Sequence, residues 1–383
     1  MPVLLELEAR SAGSLSPTES CASIERSRQA RLAVLTGLGT FAGLLLITAI
    51  GLDAGPFRDP EYRGRLARLR RQFRPGPKRP FTVVILGSSR TREGIRAPDL
   101  KEQLSAALGR PVAVGNFGLN GCGPIANLMT WNRLLRDGLH PDVALIEILP
   151  AMLNESWVPT EWAEEQMPLC GLRHSDLPVA EKYCGDLRPG LRWKWYLAWP
   201  NSLYDQRLNL VSQICPALLP FEHRVGESPL PEDEPVVRTE VSEERRLREL
   251  NYARAFADRA CLGHFRLGGR CCASIRELLA AVRRDGRRAV LIVLPEGPEF
   301  RSWYEPGAYE QVRDWLAGLK AEFGVELLDA RAWMEESDFR DSLHLTQEGA
   351  AKFTVRLGAE FLILLVQGLS EPPSAVGNGI TFR

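Results

Sequence analysis

The sequence has no excess of either charge. Its 48 Lys and Arg stand against 48 Asp and Glu, and the isoelectric point is near neutral. A chain without a net basic field offers no global footprint for nucleic acid, and none is expected as a partner. It holds eight cysteines but no C-x-x-C pair and no histidine at matching spacing, so no zinc framework is spelled out and no metal is expected. There is no P-loop. The one glycine-dense stretch, GNFGLNGCG (115–123), has the wrong spacing for a dinucleotide fingerprint and no acidic residue placed for a ribose. No cofactor is therefore expected. Apolar runs long enough to cross a bilayer are also missing, with one exception.

That exception is LAVLTGLGTFAGLLLITAIGL (32–52), uncharged between Arg31 and Asp53. Its 21 residues, at ~1.5 Å each, extend ~31 Å and cover a hydrocarbon core. It reads as a single transmembrane anchor. The polar, Ser-rich residues 1–31 ahead of it are expected to be disordered. Residues 53–80 read as a basic, Pro-rich linker: nine Lys or Arg fall within 58–79, and the stretch ends in RPGPKRP (74–80). The N-terminal flank, with Arg26, Arg28 and Arg31, is slightly the more basic beside the membrane, which favours a cytoplasmic N-terminus and a large extracytoplasmic domain. In an exported domain Cys170 with Cys184, and Cys261 with Cys271 or Cys272, would close short loops; free buried thiols are the equal alternative.

From residue 81 the pattern alternates. FTVVIL (81–86), VAVGN (112–116), DVALIEIL (142–149), RAVLIVLP (288–295) and VELLDA (325–330) read as five strands, apolar on both faces. Helices are expected between them over 97–109, 124–138, 274–286 and 307–324, with a last one over 346–369. This order implies an α/β fold: a doubly wound three-layer α/β/α domain (81–370) on a mainly parallel five-stranded sheet. Residues 151–245 interrupt the alternation and read as a large insertion after the third strand. They carry five of the nine tryptophans, expected either to pack as core or to bind sugar or acyl groups. Residues 371–383 form a tail.

In a doubly wound sheet the ligand site lies at the carboxyl ends of the strands. Three stretches meet that requirement. The first strand runs into GSSRTREG (87–94), where Ser89 follows a sharp turn that can expose its Oγ as a nucleophile. The second runs into NFGLNG (116–121), where Gly121 can bring a bare backbone N–H to a substrate. The fifth runs into DSLHLTQEG (341–349), where Asp341 and His344 share one short loop and Thr346 can cap the following helix. A nucleophile needs a base and the base needs an orienting acid, and Ser89, His344 and Asp341 supply the three.

These blocks resemble those of the SGNH (GDSL-like) hydrolase superfamily. GSSRTREG matches its first block, with Ser88 where the usual Asp stands; NFGLNG matches the second; DSLHLTQEG matches the last. The resemblance covers roughly 81–150 and 286–366. It implies Ser89 as nucleophile, His344 and Asp341 as its partners, and the N–H groups of Ser89 and Gly121 as an oxyanion hole. The family's third block, G-x-N-D, is missing from EILPAMLNES (147–156). Asn154 lies nearby, either as a displaced third oxyanion donor or as a cap for the insertion. GSS for GDS, an anchor and the missing block look more like the membrane-tethered acyl-transfer branch, which includes the teichoic-acid D-alanylation protein DltD and proteins similar to the alginate O-acetylation factors. That branch implies ester hydrolysis or O-acyl transfer on a cell-envelope polymer, with a carbohydrate acceptor and a membrane-bound O-acyltransferase as partner. A catalytically inactive module that binds such a polymer or scaffolds the acyltransferase is the alternative.

Overall fold

A computed structural model describes residues 17–54, 58–73, 79–157, 169, 171–219 and 243–370. Its centre is a five-stranded, wholly parallel sheet: β1 (Phe81–Leu86), β2 (Val112–Asn116), β3 (Val143–Ile148), β4 (Arg288–Val293) and β5 (Glu326–Asp329), in the order β2-β1-β3-β4-β5. The expected strands are all present; β1 to β4 are short, almost wholly buried and mostly apolar because both faces are covered, whereas the edge strand β5 exposes Glu326 and Asp329.

Alternate side chains of each strand feed two cores. Val83 and Ile85 point into one, Val84 and Leu86 into the other. Starting from the N-terminus, the helices that matter here are α1 (Pro17–Ala54), α2 (Pro60–Arg71), α3 (Ser89–Gly94), α4 (Ala97–Leu108), α5 (Pro124–Arg136), α6 (Gly269–Arg284), α7 (Ala308–Phe323) and α8 (Gln347–Leu357). Leu100 and Leu104 of α4 and Phe353 and Leu357 of α8 cover one face. Leu66 and Leu69 of α2, Trp131 of α5, Ile275 and Leu278 of α6 and Val312 of α7 cover the other. Past α8 the chain runs through one π turn, Gly358–Leu362, into a last helix, Ile363–Ser370. A Cβ at Gly358 would meet the Gln103 side chain of α4, so glycine permits that close approach.

Two expectations change. Residues 17–31 are helical, not disordered: α1 runs without a break into the apolar stretch, since propagating an existing helix adds one hydrogen bond per residue. The basic linker contains α2. Asp59 caps it by accepting from the Tyr62 N–H at 3.0 Å, and Tyr62, Leu66 and Leu69 form a buried stripe that the arginines around it obscured. Gln72, at its end, donates to the Val114 carbonyl and accepts the Val114 N–H, at 2.9 and 3.1 Å. This side chain thereby satisfies backbone groups of β2, the edge strand, which would otherwise be open to foreign pairing. Of the two alternatives for sulfur, free thiols are the one found: Cys184, Cys261, Cys271 and Cys272 are all free. No Cys261 pairing with Cys271 or Cys272 forms, and Cys170 lies outside the described residues.

The insertion divides its tryptophans. Trp157 and Trp195 are core, and the Trp195 indole N–H donates to the Leu172 carbonyl at 2.9 Å. Trp193 is exposed. Trp162, the acidic stretch 226–235 and the tail 371–383 fall outside the described residues.

Candidate active site

The turn after β1 is built to be tight. A Cβ at Gly87 would collide with the Thr91 hydroxyl and the Glu147 carboxylate, so only glycine fits there. Ser88 then takes an extended conformation and caps α3, its hydroxyl accepting from the Arg90 N–H at 3.2 Å. Ser89 is the first residue of α3. At that position its own N–H has no acceptor within the helix.

Ser89 Oγ lies 2.7 Å from His344 Nε2, and His344 Nδ1 lies 2.7 Å from Asp341 Oδ2. The residues that supply this chain are 255 positions apart. Asp341 also accepts the backbone N–H of Leu343 at 3.0 Å and of His344 at 2.5 Å through its other oxygen, which locks the loop around the carboxylate. Burial alone would favour the neutral acid. The adjacent His344, through its charge and its ring and backbone hydrogen bonds, outweighs burial and holds the Asp341 carboxyl below the ordinary carboxylate range. An ionised carboxylate can only accept, so it fixes the proton on Nδ1 and leaves Nε2 to accept from Ser89.

The loop carrying Asp341 and His344 is strained at one point. Ser342 has φ +61°, a left-handed conformation uncommon outside glycine. It is held there on both sides: its carbonyl accepts the Gly297 N–H at 2.8 Å, its Oγ accepts the Phe300 N–H at 3.0 Å, and its hydroxyl donates to Glu336 at 3.1 Å. Thr346 caps α8 as its sequence suggests, accepting from Gly349 at 3.0 Å.

The loop after β2 lies directly against the Ser89 turn, with the Leu119 N–H donating to the Gly87 carbonyl at 3.1 Å. Asn116 ties the two together. Its amide donates to Thr91 and Ile95, both at 2.9 Å, and its Oδ1 accepts the Gly118 N–H at 2.9 Å. Gly121 has φ +64°, a conformation glycine adopts without strain.

Asn154 is elsewhere. It is buried, its amide donates to the carbonyls of Ala260 and Cys261 at 2.8 and 3.0 Å, and its Oδ1 accepts the Arg266 N–H at 3.1 Å. All its hydrogen-bonding groups are committed to holding the start of the insertion against residues 260–266. The geometry corrects the reading of Asn154 as a third oxyanion donor and agrees with its structural alternative.

Two residues under the site escaped sequence reasoning. Glu147 of β3 is buried beneath α3 and receives the Ser88 N–H at 2.6 Å, the Ser88 hydroxyl at 3.0 Å and the Thr91 hydroxyl at 2.7 Å. Arg90 is equally buried. It lies 3.5 Å from Glu147 and donates to the carbonyls of Leu294, Pro295 and Leu343 at 3.0, 2.6 and 3.2 Å. This one guanidinium joins the nucleophile turn to the end of β4 and to the loop of His344. The signal was present: a lone acid inside VALIEI, at a position that a parallel sheet buries.

No protein-family model matches the sequence, and no curated protein matches it significantly. Solved structures with a similar chain trace include a catalytic mutant of Axe2, an acetylxylan esterase from Geobacillus stearothermophilus, at 12% identity and TM-score 0.34, covering 74% of this chain and 95% of that one. The psychrotrophic esterase EstA from Pseudoalteromonas sp. matches at 12% identity and TM-score 0.31, over 76% of this chain and 100% of that one. LAE5, an alpha/beta hydrolase enzyme from the metagenome of Lake Arreo, matches at 12% identity and TM-score 0.34, over 72% and 94%. Similarities this distant assign no activity, and the functional reading rests on the chain's own residues.

Proposed function

We propose that this chain is a membrane-anchored serine esterase or O-acyltransferase, with Ser89 as nucleophile, His344 as general base and acid, and Asp341 as the group that orients His344. The observation that carries the reading is the continuous hydrogen-bonded series Ser89 Oγ, His344 Nε2, His344 Nδ1, Asp341 Oδ2, with both contacts at 2.7 Å. Ser89 Oγ attacks the acyl carbonyl as its proton passes to Nε2. The carbonyl π electrons move to oxygen, and the backbone N–H groups of Ser89 and Gly121 stabilise that charge. Collapse breaks the ester C–O bond, and the leaving alkoxide takes the proton from Nε2. Water or a sugar hydroxyl then repeats the sequence on the acyl-serine, giving hydrolysis or transfer.

With Asn154 committed elsewhere, the hole has two backbone donors. One lost donor costs about 3–4 kcal/mol of transition-state stabilisation, or ~10²–10³ in rate, so hydrolysis of small soluble esters is modest. This suits an enzyme that works on an envelope polymer beside an acyltransferase, with the substrate held in place. The membrane assignment is supported by α1, in which Glu25–Leu52 is long and apolar enough to span a bilayer. The more basic N-terminal flank, with Arg26, Arg28 and Arg31, supports an extracytoplasmic large domain.

Labelling the full chain with a serine-directed fluorophosphonate tests the reading. Wild type is expected to label, and Ser89→Ala and His344→Ala are expected not to while unfolding at the wild-type temperature. The displaced Asn154 favours a second reading, a non-catalytic polymer-binding module. Folded wild type that fails to label would select it.

A further inference from the structure

Exposed apolar surface is not confined to α1. Between residues 191 and 218, Trp193, Tyr196, Leu197, Tyr204, Ile214 and Leu218 are all exposed, from 43% to 74%. The helix Leu191–Ala198 buries Leu191 and Trp195 on one side and still presents Trp193, Tyr196 and Leu197 to the outside. A helix at the surface of a soluble domain keeps its outer face polar. A concentration of exposed apolar side chains of this kind marks a contact surface.

The position of the patch indicates what covers it. The end of α1 packs on residues 199–205. Ala49 and Leu52 are buried there, at 1% and 7% exposure, whereas Ile47 and Ile50 remain 68% and 52% exposed. The uncharged part of α1, 32–52, has 21 residues and so extends ~31 Å, about the thickness of the hydrocarbon core. The end of α1 that meets residues 199–205 therefore lies at headgroup depth. The composition fits that depth: Trp193, Tyr196 and Tyr204 each combine an apolar ring with a polar tip, the residue types enriched at membrane interfaces. Lys194 and Arg207 are exposed among them, the Arg207 guanidinium stacked 3.8 Å from the centre of the Tyr204 ring.

We propose that residues 191–218 lie in the lipid headgroup layer as a second, monotopic membrane contact beside α1. The inference rests on the reading of α1 as a membrane anchor. Its occupant is the bilayer itself, with aromatic rings and leucines entering the acyl boundary and the two cations facing lipid phosphates.

The test uses the full chain in vesicles of phosphatidylcholine and phosphatidylglycerol, with a fraction of the lipid carrying a nitroxide quencher near the glycerol. The Trp193 signal is taken as the difference between wild type and Trp193→Phe. It is expected to be quenched, and the quenching is expected to be lost in a Leu197→Glu, Tyr204→Glu variant that still resists alkaline carbonate extraction. An unquenched Trp193 in protein that resists carbonate would overturn the proposal and leave another protein as the cover for the patch. Extraction of wild type by carbonate is a separate result, which removes the anchor; quenched Trp193 would then still establish residues 191–218 as a peripheral contact.

Discussion

Glu147→Gln is the most informative change available beneath the site. The substitution keeps the size and shape of the side chain and removes one acceptor oxygen and one charge. The remaining carbonyl oxygen can still serve the Ser88 N–H and the Thr91 hydroxyl, which both use Oε2 at 2.6 and 2.7 Å. The new NH₂ replaces Oε1, which receives the Ser88 hydroxyl at 3.0 Å and faces Arg90 at 3.5 Å. The Ser88 hydroxyl can rotate and accept instead; a guanidinium has no acceptor and cannot. Arg90 is left as a buried cation with only carbonyl partners. Breaking a buried pair from one side costs about 3–5 kcal/mol, and the three carbonyls on Arg90 place this case near ~3 kcal/mol. For a domain spanning 81–370 the midpoint of thermal unfolding should fall by about 5 °C. Because Arg90 also holds the Leu343 carbonyl next to His344, the Ser89–His344 spacing should loosen, and a shift of ~1 Å lowers reactivity by ~10². Thermal unfolding and the rate of fluorophosphonate labelling, measured on the same preparation, check both effects. A Glu147→Gln protein that unfolds and labels like wild type would refute the argument that this carboxylate supports the nucleophile turn.

Four further outcomes are expected. Asn154→Ala should lose about 2–3 kcal/mol of stability, through the orphaned Ala260 and Cys261 carbonyls, and keep its labelling rate; a ~10²–10³ loss of rate with unchanged unfolding would restore Asn154 to the oxyanion hole. Gly87→Ala should be strongly destabilised or fail to fold, since its Cβ would strike Thr91 and Glu147, and normal expression with a wild-type melting profile would contradict the turn geometry. Asp341 has a depressed folded pKa, so the stability it contributes is present above its unfolded value of ~3.9 and is lost as the pH falls through the lower folded value. Urea midpoints of Asp341→Asn should therefore fall less steeply than those of wild type in that acid range, and parallel curves would count against a native-state role for the charge. Cys261 is partly exposed and lies outside residues 191–218, so an impermeant maleimide should label it in intact cells if the domain is extracytoplasmic, with the signal reduced in Cys261→Ser, whereas labelling only after lysis would reverse the orientation.

Much of this protein is local enough to be written along the chain. The five strands are apolar at most of the positions a doubly covered sheet buries, and glycines and N-caps punctuate the helices between them; periods of two and 3.6 residues need no partner to be recognised. The meeting of Ser89, Asp341 and His344 was legible for a related reason: in a parallel α/β sheet every strand ends on the same edge, so residues that follow strands come together whatever their separation in sequence. What periodicity could not decide is which atoms meet across the layers. Glu147 sits in β3, yet its partners stand at the cap and on the first turn of α3, 59 and 56 positions earlier, and only the β1–β3 pairing brings them together. Asn154 follows β3 closely enough to have returned to the site, and the 3₁₀ turn Pro150–Leu153 carries it instead to the carbonyls of Ala260 and Cys261. The buried stripe of α2 was hidden by its own arginines until β2 supplied an edge for Gln72 to cover. In each case the deciding term is the free energy of satisfying a buried polar group, and whether a group is buried depends on the whole packed chain, not on its neighbours in sequence.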